Sequence, residues 1–176
     1  MLYDLLKTRR SIRKFQKREV EKDKVDILLK SALLSPTSRS GRPWEFIAVT
    51  DRVLLEKLSK SKEHGSSFLA DAPLGIVVIA DHEKSDVWVE DASIASIIIQ
   101  LSAQSIGLGT CWIQVRERFA AGGVKAEDYI RETLLIPDRY SVECIVAAGY
   151  PAEEKSPYTD GELLYDRLHF DKYMNK

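Results

Sequence analysis

The sequence predicts an α+β fold, a central sheet with helices packed on it, and three observations carry that reading. Segments with three- and four-residue apolar spacing alternate with short apolar runs, without the strict rhythm of βαβ units. Leu74 to Ala80 is apolar throughout, as suits a strand covered on both faces. A chain of 176 residues with 44% hydrophobic and 30% charged content can enclose a core without a disulfide or metal staple. No repeat, low-complexity tract or Pro/Gly-rich linker divides it, so residues 1–176 read as a single domain.

The elements follow in order. Leu2 to Lys7 forms a short helix ahead of a basic segment, Arg9 to Arg18. Lys22 to Ser35 spaces Val25, Leu28, Leu29, Ala32 and Leu33 as an amphipathic helix does. Ser35 to Pro43, with two prolines, a glycine and short hydroxyls, breaks regular structure. Phe46 to Val49 reads as a strand, and Asp51 caps a helix that runs through Leu58. Ala72-Pro73 introduces the strand Leu74 to Ala80. From Ala92 to Gly107 no residue is charged, and Ile94, Ile97, Ile98, Ile99, Leu101 and Ile106 surround most of a helix. It is short for a membrane span and interspersed with Ser and Gln. One small domain cannot easily surround such a helix and also house a ligand, so a second subunit is expected to cover part of it; burial within one chain is the alternative. Thr110 to Val115 is a further strand, Lys125 to Leu134 an amphipathic helix, and Val142 to Ala148 the last strand. After Lys155 the tail reads as polar and extended.

Charge narrows the partners. The 26 Lys+Arg balance 27 Asp+Glu to a net −1, which argues against a dedicated nucleic-acid binder. Residues 1–25 nevertheless hold nine Lys/Arg and four Asp/Glu, a local +5, so the other 151 residues sum to −6. That asymmetry suits either an anion-binding segment or a solvated basic helix end. Cys111 and Cys144 sit in apolar runs as buried thiols, without zinc-site spacing. The first residues include an acid and no extended apolar core, so no signal peptide is read there and a reduced, cytoplasmic setting is expected.

Ordinary catalytic templates are absent. His64, His82 and His169 are isolated, and Gly107-Leu108-Gly109 leads from a helix into a strand, the reverse of a dinucleotide-binding loop. Three patches remain: Arg9-Arg10-Ser11-Ile12-Arg13, where guanidiniums and a hydroxyl could hold a phosphate; the hydroxyl-rich loop Ser35 to Trp44; and Gly107 to Gln114. In this order and spacing they resemble the flavin-dependent nitroreductase family. The matching blocks are Arg-Arg-Ser-Ile-Arg-Lys-Phe (9–15), Ser-Pro-Thr-Ser…Pro-Trp-Glu-Phe (35–46), Asp-Ala-Pro (71–73), Gly-Leu-Gly-Thr-Cys-Trp-Ile (107–113), Gly-Tyr-Pro (149–151) and Leu-His-Phe-Asp-Lys-Tyr (168–173).

That resemblance implies a mostly antiparallel sheet flanked by helices, a long central helix at a homodimer interface, and two FMN sites there. It implies Arg9, Arg10 and Ser11 at the FMN phosphate and ribityl chain, Arg13 at the flavin pyrimidine edge, and Pro36, Thr37, Ser38 and Ser40 in a loop from the other subunit. Trp112, Ile113 and Gln114 would lie beside the isoalloxazine, offering a backbone N–H to N5, with Arg167 as a second phosphate ligand. Where relatives often carry Asn and Gln, this loop has Ser40 and Arg42, losing one amide and adding a cation. Arg42 would favour the reduced, anionic flavin if it faces it, and do nothing if it faces solvent. The implied activity is hydride transfer from NADH or NADPH through flavin N5, the reactive centre, to a nitroaromatic, quinone or similar small acceptor by ping-pong turnover, with no protein catalytic residue and no metal. Ring oxidation or dehalogenation on the same fold, and non-catalytic FMN binding for storage or sensing, are the alternatives. No nucleic-acid or membrane partner is implied.

Overall fold

A computed structural model describes residues 1–173. Four strands form one antiparallel sheet in the order β1-β2-β4-β3. They are β1 (Trp44–Val49), β2 (Leu74–Asp81), β3 (Gly109–Gln114) and β4 (Tyr140–Gly149). Five α-helices flank it: α1 (Leu2–Thr8), α2 (Lys22–Leu33), α3 (Arg52–Ser59), α4 (Trp88–Ser105) and α5 (Ala126–Leu134). Central β2 is buried along its apolar run, as expected of a strand with both faces covered. Leu74, Ile76 and Val78 face Leu28, Ala92, Ile99 and Ala103 of α2 and α4, whereas Val77 and Ile79 face Leu55, Leu58 and Ile130 of α3 and α5. Asp51 caps α3 by accepting the Leu54 N–H at 2.8 Å.

Boundaries shift where pairing or electrostatics outlasts the apolar pattern. β4 extends to Tyr140 and Gly149 because it is paired on both sides, and β3 begins at Gly109 against Gly149. A bulge between Val78 and Ile79 of β2 leaves Glu143 of β4 outside the pairing. α2 stops at Leu33, two residues short of the expected Ser35. α4 starts four residues before the uncharged run and takes in Glu90 and Asp91, acids that suit a helix N-terminus. It ends ahead of Gly107, whose φ of +79° breaks the helix. The sheet side of α4 is buried at Ala92, Ala95, Ser96, Ile99 and Ala103, while Ile94 and Ile97 on its far side remain 38% and 36% exposed. One chain therefore buries the sheet side of this helix and leaves an apolar patch at Ile94 and Ile97 partly open.

The tail is not simply extended. Its start is tied to α1, with the Tyr158 N–H on the Lys7 carbonyl and Lys7 Nζ 3.0 Å from Asp160. Short 3-10 turns follow at Asp160–Glu162 and Tyr165–Arg167, and Leu164, Leu168, Phe170 and Tyr173 stand exposed. No helix among the described residues is long and apolar enough to cross a membrane.

Candidate functional site

Arg9 to Arg13 runs in extended backbone along the start of β3. Ser11 bridges to Thr110 in parallel, and the Ile12 N–H donates to the Thr110 carbonyl at 2.9 Å. Successive side chains of such a segment alternate. Arg9, Ser11 and Arg13 act together on the Cys111 thiol, whereas Arg10 turns to the tail, donating to the Ser156 carbonyl and lying 4.4 Å from the centre of the Tyr158 ring. Arg10 also lines a cleft of about 350 Å³ with Ile12, Gln104, Gly109, Glu153 and Lys155. The structure thus groups Arg9, Ser11 and Arg13 and takes Arg10 elsewhere. Arg167 sits exposed in its 3-10 turn.

Burial pushes the Cys111 thiol up, and Arg13, the Ser11 hydroxyl and Arg9 pull it partly back. Lys62, from the segment after α3, joins this group. Burial holds its ammonium below the ordinary lysine value, and Arg118 lowers it further by like-charge repulsion. None of the Arg9, Arg13 and Lys62 side chains forms an ion pair among the described residues. The nearby acid, Glu153, is engaged by the Arg13 and Lys14 N–H groups and by Lys155. Like charges gathered outside ion pairs favour an anion joining them. Lys62 carried no sequence motif; nothing short of its spatial position marks it.

β3 is an edge strand, and its outer edge offers donors. Thr110 points its carbonyl outward to Ile12, so the N–H and C=O groups of Trp112 and Gln114, two and four residues on, point the same way. Val115 confirms the parity by donating inward to Glu143. The side chains are settled internally. Trp112 Nε1 donates to Gln114 Oε1 at 2.9 Å, and Gln114 Nε2 donates to the Arg116 carbonyl at 3.2 Å. Gln114 Nε2 also lies 3.4 Å from Glu143 Oε1; Glu143 is 3% exposed, and its Oε2 has no partner among the described residues. Ile113 is buried in the core against the α3 side.

The loop of Pro36, Thr37, Ser38 and Ser40 emerges between buried flanks at Ser35 and Pro43. Arg39, Ser40 and Arg42 all adopt left-handed backbone, with φ of 50°, 53° and 45°. Each costs about 1 kcal/mol for a residue with a Cβ. Thr37 Oγ1 accepts the Arg42 N–H at 3.1 Å, and the Ser38 N–H donates 2.9 Å to buried Asp91 in the first turn of α4. Ser40 and Arg42 are exposed. The loop is therefore anchored near the N-terminus of α4, while Arg9–Arg13 adjoins the strand that follows its C-terminus. Fourteen residues separate Asp91 from Ser105, about 21 Å along the axis.

The residues present suit an FMN-sized ligand: cations outside any ion pair for a phosphate dianion, and unpaired edge N–H groups for a ring nitrogen. Comparison with known proteins places the chain. The nitroreductase family pattern matches residues 6–64 and 56–150. The structure is similar to an FMN-dependent nitroreductase of Clostridium difficile R20291, at 53% identity and a TM-score of 0.96, covering 97% of this chain and 99% of that one. A protein of Archaeoglobus fulgidus, named as an NADH dehydrogenase/NAD(P)H nitroreductase, is 37% identical over 96% of this chain and 97% of its own length. A protein of the same name from Methanothermobacter thermautotrophicus is 38% identical over 97% of this chain and 86% of its own. With the antiparallel sheet, the edge strand and the basic segment all in the order its sequence blocks imply, this chain belongs to the nitroreductase family.

Proposed function

We propose that the protein is an FMN-dependent NAD(P)H oxidoreductase that works as a homodimer. The observation that carries this reading is that Arg9, Arg13 and Lys62 all act on Cys111 of β3 while none of them forms an ion pair among the described residues, and that the outer edge of the same strand presents the N–H groups of Trp112 and Gln114. When bound, FMN would supply the redox chemistry, hydride transfer from NADH or NADPH to a nitroaromatic, quinone or similar acceptor by ping-pong turnover.

The protein's part is binding, orientation and electrostatics. Arg9, Ser11 and Lys62 hold the phosphate through charge-assisted hydrogen bonds. Arg13, at the end of the same segment, supplies fixed positive charge toward the pyrimidine edge, where negative charge develops on reduction. The outward Gln114 backbone N–H would be a donor available to a ring nitrogen of the flavin, while the Gln114 side chain is already engaged by Trp112 and Arg116. The Pro36–Ser40 loop stands the length of α4 away from the basic segment of its own chain. A second copy brings the two halves together, and the exposed Ile94 and Ile97 face of α4 is the surface it would cover.

Purified protein should be yellow, with FMN bound in one-to-one stoichiometry per chain, and should oxidise NADH or NADPH in the presence of a quinone. Colourless protein that neither takes up added FMN nor oxidises either nucleotide refutes the reading.

A further inference from the structure

Asp91 is a buried carboxylate with no ion-pair partner among the described residues, an arrangement that costs stability except as hydrogen bonds offset it. Only 2% exposed, it accepts the Ser38 N–H at Oδ1 and lies 3.4 Å from the Ser85 hydroxyl at Oδ2. Ser38 opens the turn in which three of the next four residues, Arg39, Ser40 and Arg42, take left-handed backbone. The rest of the loop is closed on itself or at its exit, through Gly41 N–H to the Ser38 carbonyl, Arg42 N–H to Thr37 Oγ1, and Lys84 Nζ to the Arg42 carbonyl. The Ser38–Asp91 bond joins the start of this strained turn to a buried group of a rigid helix. Strain of this kind persists only where the surroundings hold it.

We propose that Asp91 is a positioning residue that sets the Pro36–Arg42 loop in the shape that completes the flavin site of a second copy of this chain. The inference rests on the FMN reading above and assigns Asp91 a role acting across the dimer. The carboxylate touches no substrate; it acts through the Ser38 N–H. Its place on α4 ties the loop to the same helix whose apolar far side would meet the partner, so loop and interface move as one unit.

The test uses full-length protein and FMN titration monitored by flavin fluorescence. Asp91→Asn keeps an oxygen able to accept from Ser38 and should bind FMN within about threefold of the unsubstituted protein. Asp91→Leu removes the acceptor and should weaken binding about tenfold or more. Ser38→Pro removes the donor and leaves Asp91 in place. Thr37 before it already has the extended backbone that a following proline requires, so this variant should lose affinity likewise and remains informative if Asp91→Leu does not fold. Differently tagged chains, one Asp91→Leu and the other Arg9→Ala/Arg13→Ala, should form a heterodimer with one site of undiminished affinity, since one loop and the opposite basic segment are both intact. A heterodimer with no such site, or Asp91→Leu and Ser38→Pro homodimers that bind FMN as tightly as the unsubstituted protein, overturns the proposal. If the unsubstituted protein itself fails to bind FMN, the functional reading falls before Asp91 is tested.

Discussion

Ile12 lies so close to Gly109 that a Cβ on the glycine would come within 2.8 Å of the Ile12 Cγ1. This contact seats the Arg9–Arg13 segment on the edge of β3. Gly109→Ala should overpack it, costing about 1–3 kcal/mol of stability. Because the displaced segment carries Arg9 and Arg13, FMN affinity should fall in the same variant. Urea denaturation and FMN titration measure the two effects separately.

The cations should not contribute equally. Arg9→Ala, Arg13→Ala and Lys62→Ala should each weaken FMN binding about 10- to 100-fold, the loss expected when a charged hydrogen bond of about 1.5–3 kcal/mol is removed. Arg10→Ala should cost less, since its guanidinium is engaged by Ser156 and Tyr158. Quenching of flavin fluorescence across the four variants gives the ranking.

Glu143 should impose a pH dependence on stability. Burial raises its carboxyl above the ordinary 4.5, so the native state holds a proton that the unfolded chain releases sooner. The stability linked to that proton is full below the unfolded value and is lost as pH rises through the raised native value. Glu143→Gln should flatten this slope and leave the protein more stable than the parent at neutral pH. Unfolding free energies from urea titrations at pH 4 to 8, as an approximate range, decide the matter.

Ile97→Glu places a charge on the exposed apolar face of α4, which a dimer would desolvate. Light scattering after size exclusion should report a monomer. FMN binding should fall with it, because the loop and the basic segment belong to opposite ends of α4 in one chain.

Much of the fold was legible along the chain. The apolar run of β2, the Asp51 cap, the heptad-like spacing of α2 and the break at Gly107 are properties of neighbouring residues, and they lie where the pattern puts them. The absence of charge from Ala92 to Gly107 raised the expectation that a second subunit covers part of α4, and one chain leaves Ile94 and Ile97 of that helix partly exposed. The basic segment was recognisable too, because nine cations in 25 residues outweigh four acids.

What the chain order could not decide was which of those cations act together. Arg9 and Arg10 are adjacent in sequence, yet extended backbone beside Thr110 sends one toward Cys111 and the other toward Ser156. Lys62, Asp91 and Glu143 carry no local signature; tertiary packing alone sets Lys62 near Cys111, Asp91 against the Ser38 N–H and Glu143 beside Gln114. Periodicity and caps depend on contacts a few residues apart, so the sequence by itself determines the elements and the family. Charge grouping and edge-donor direction depend on which backbones lie side by side, and that is settled only by tertiary packing.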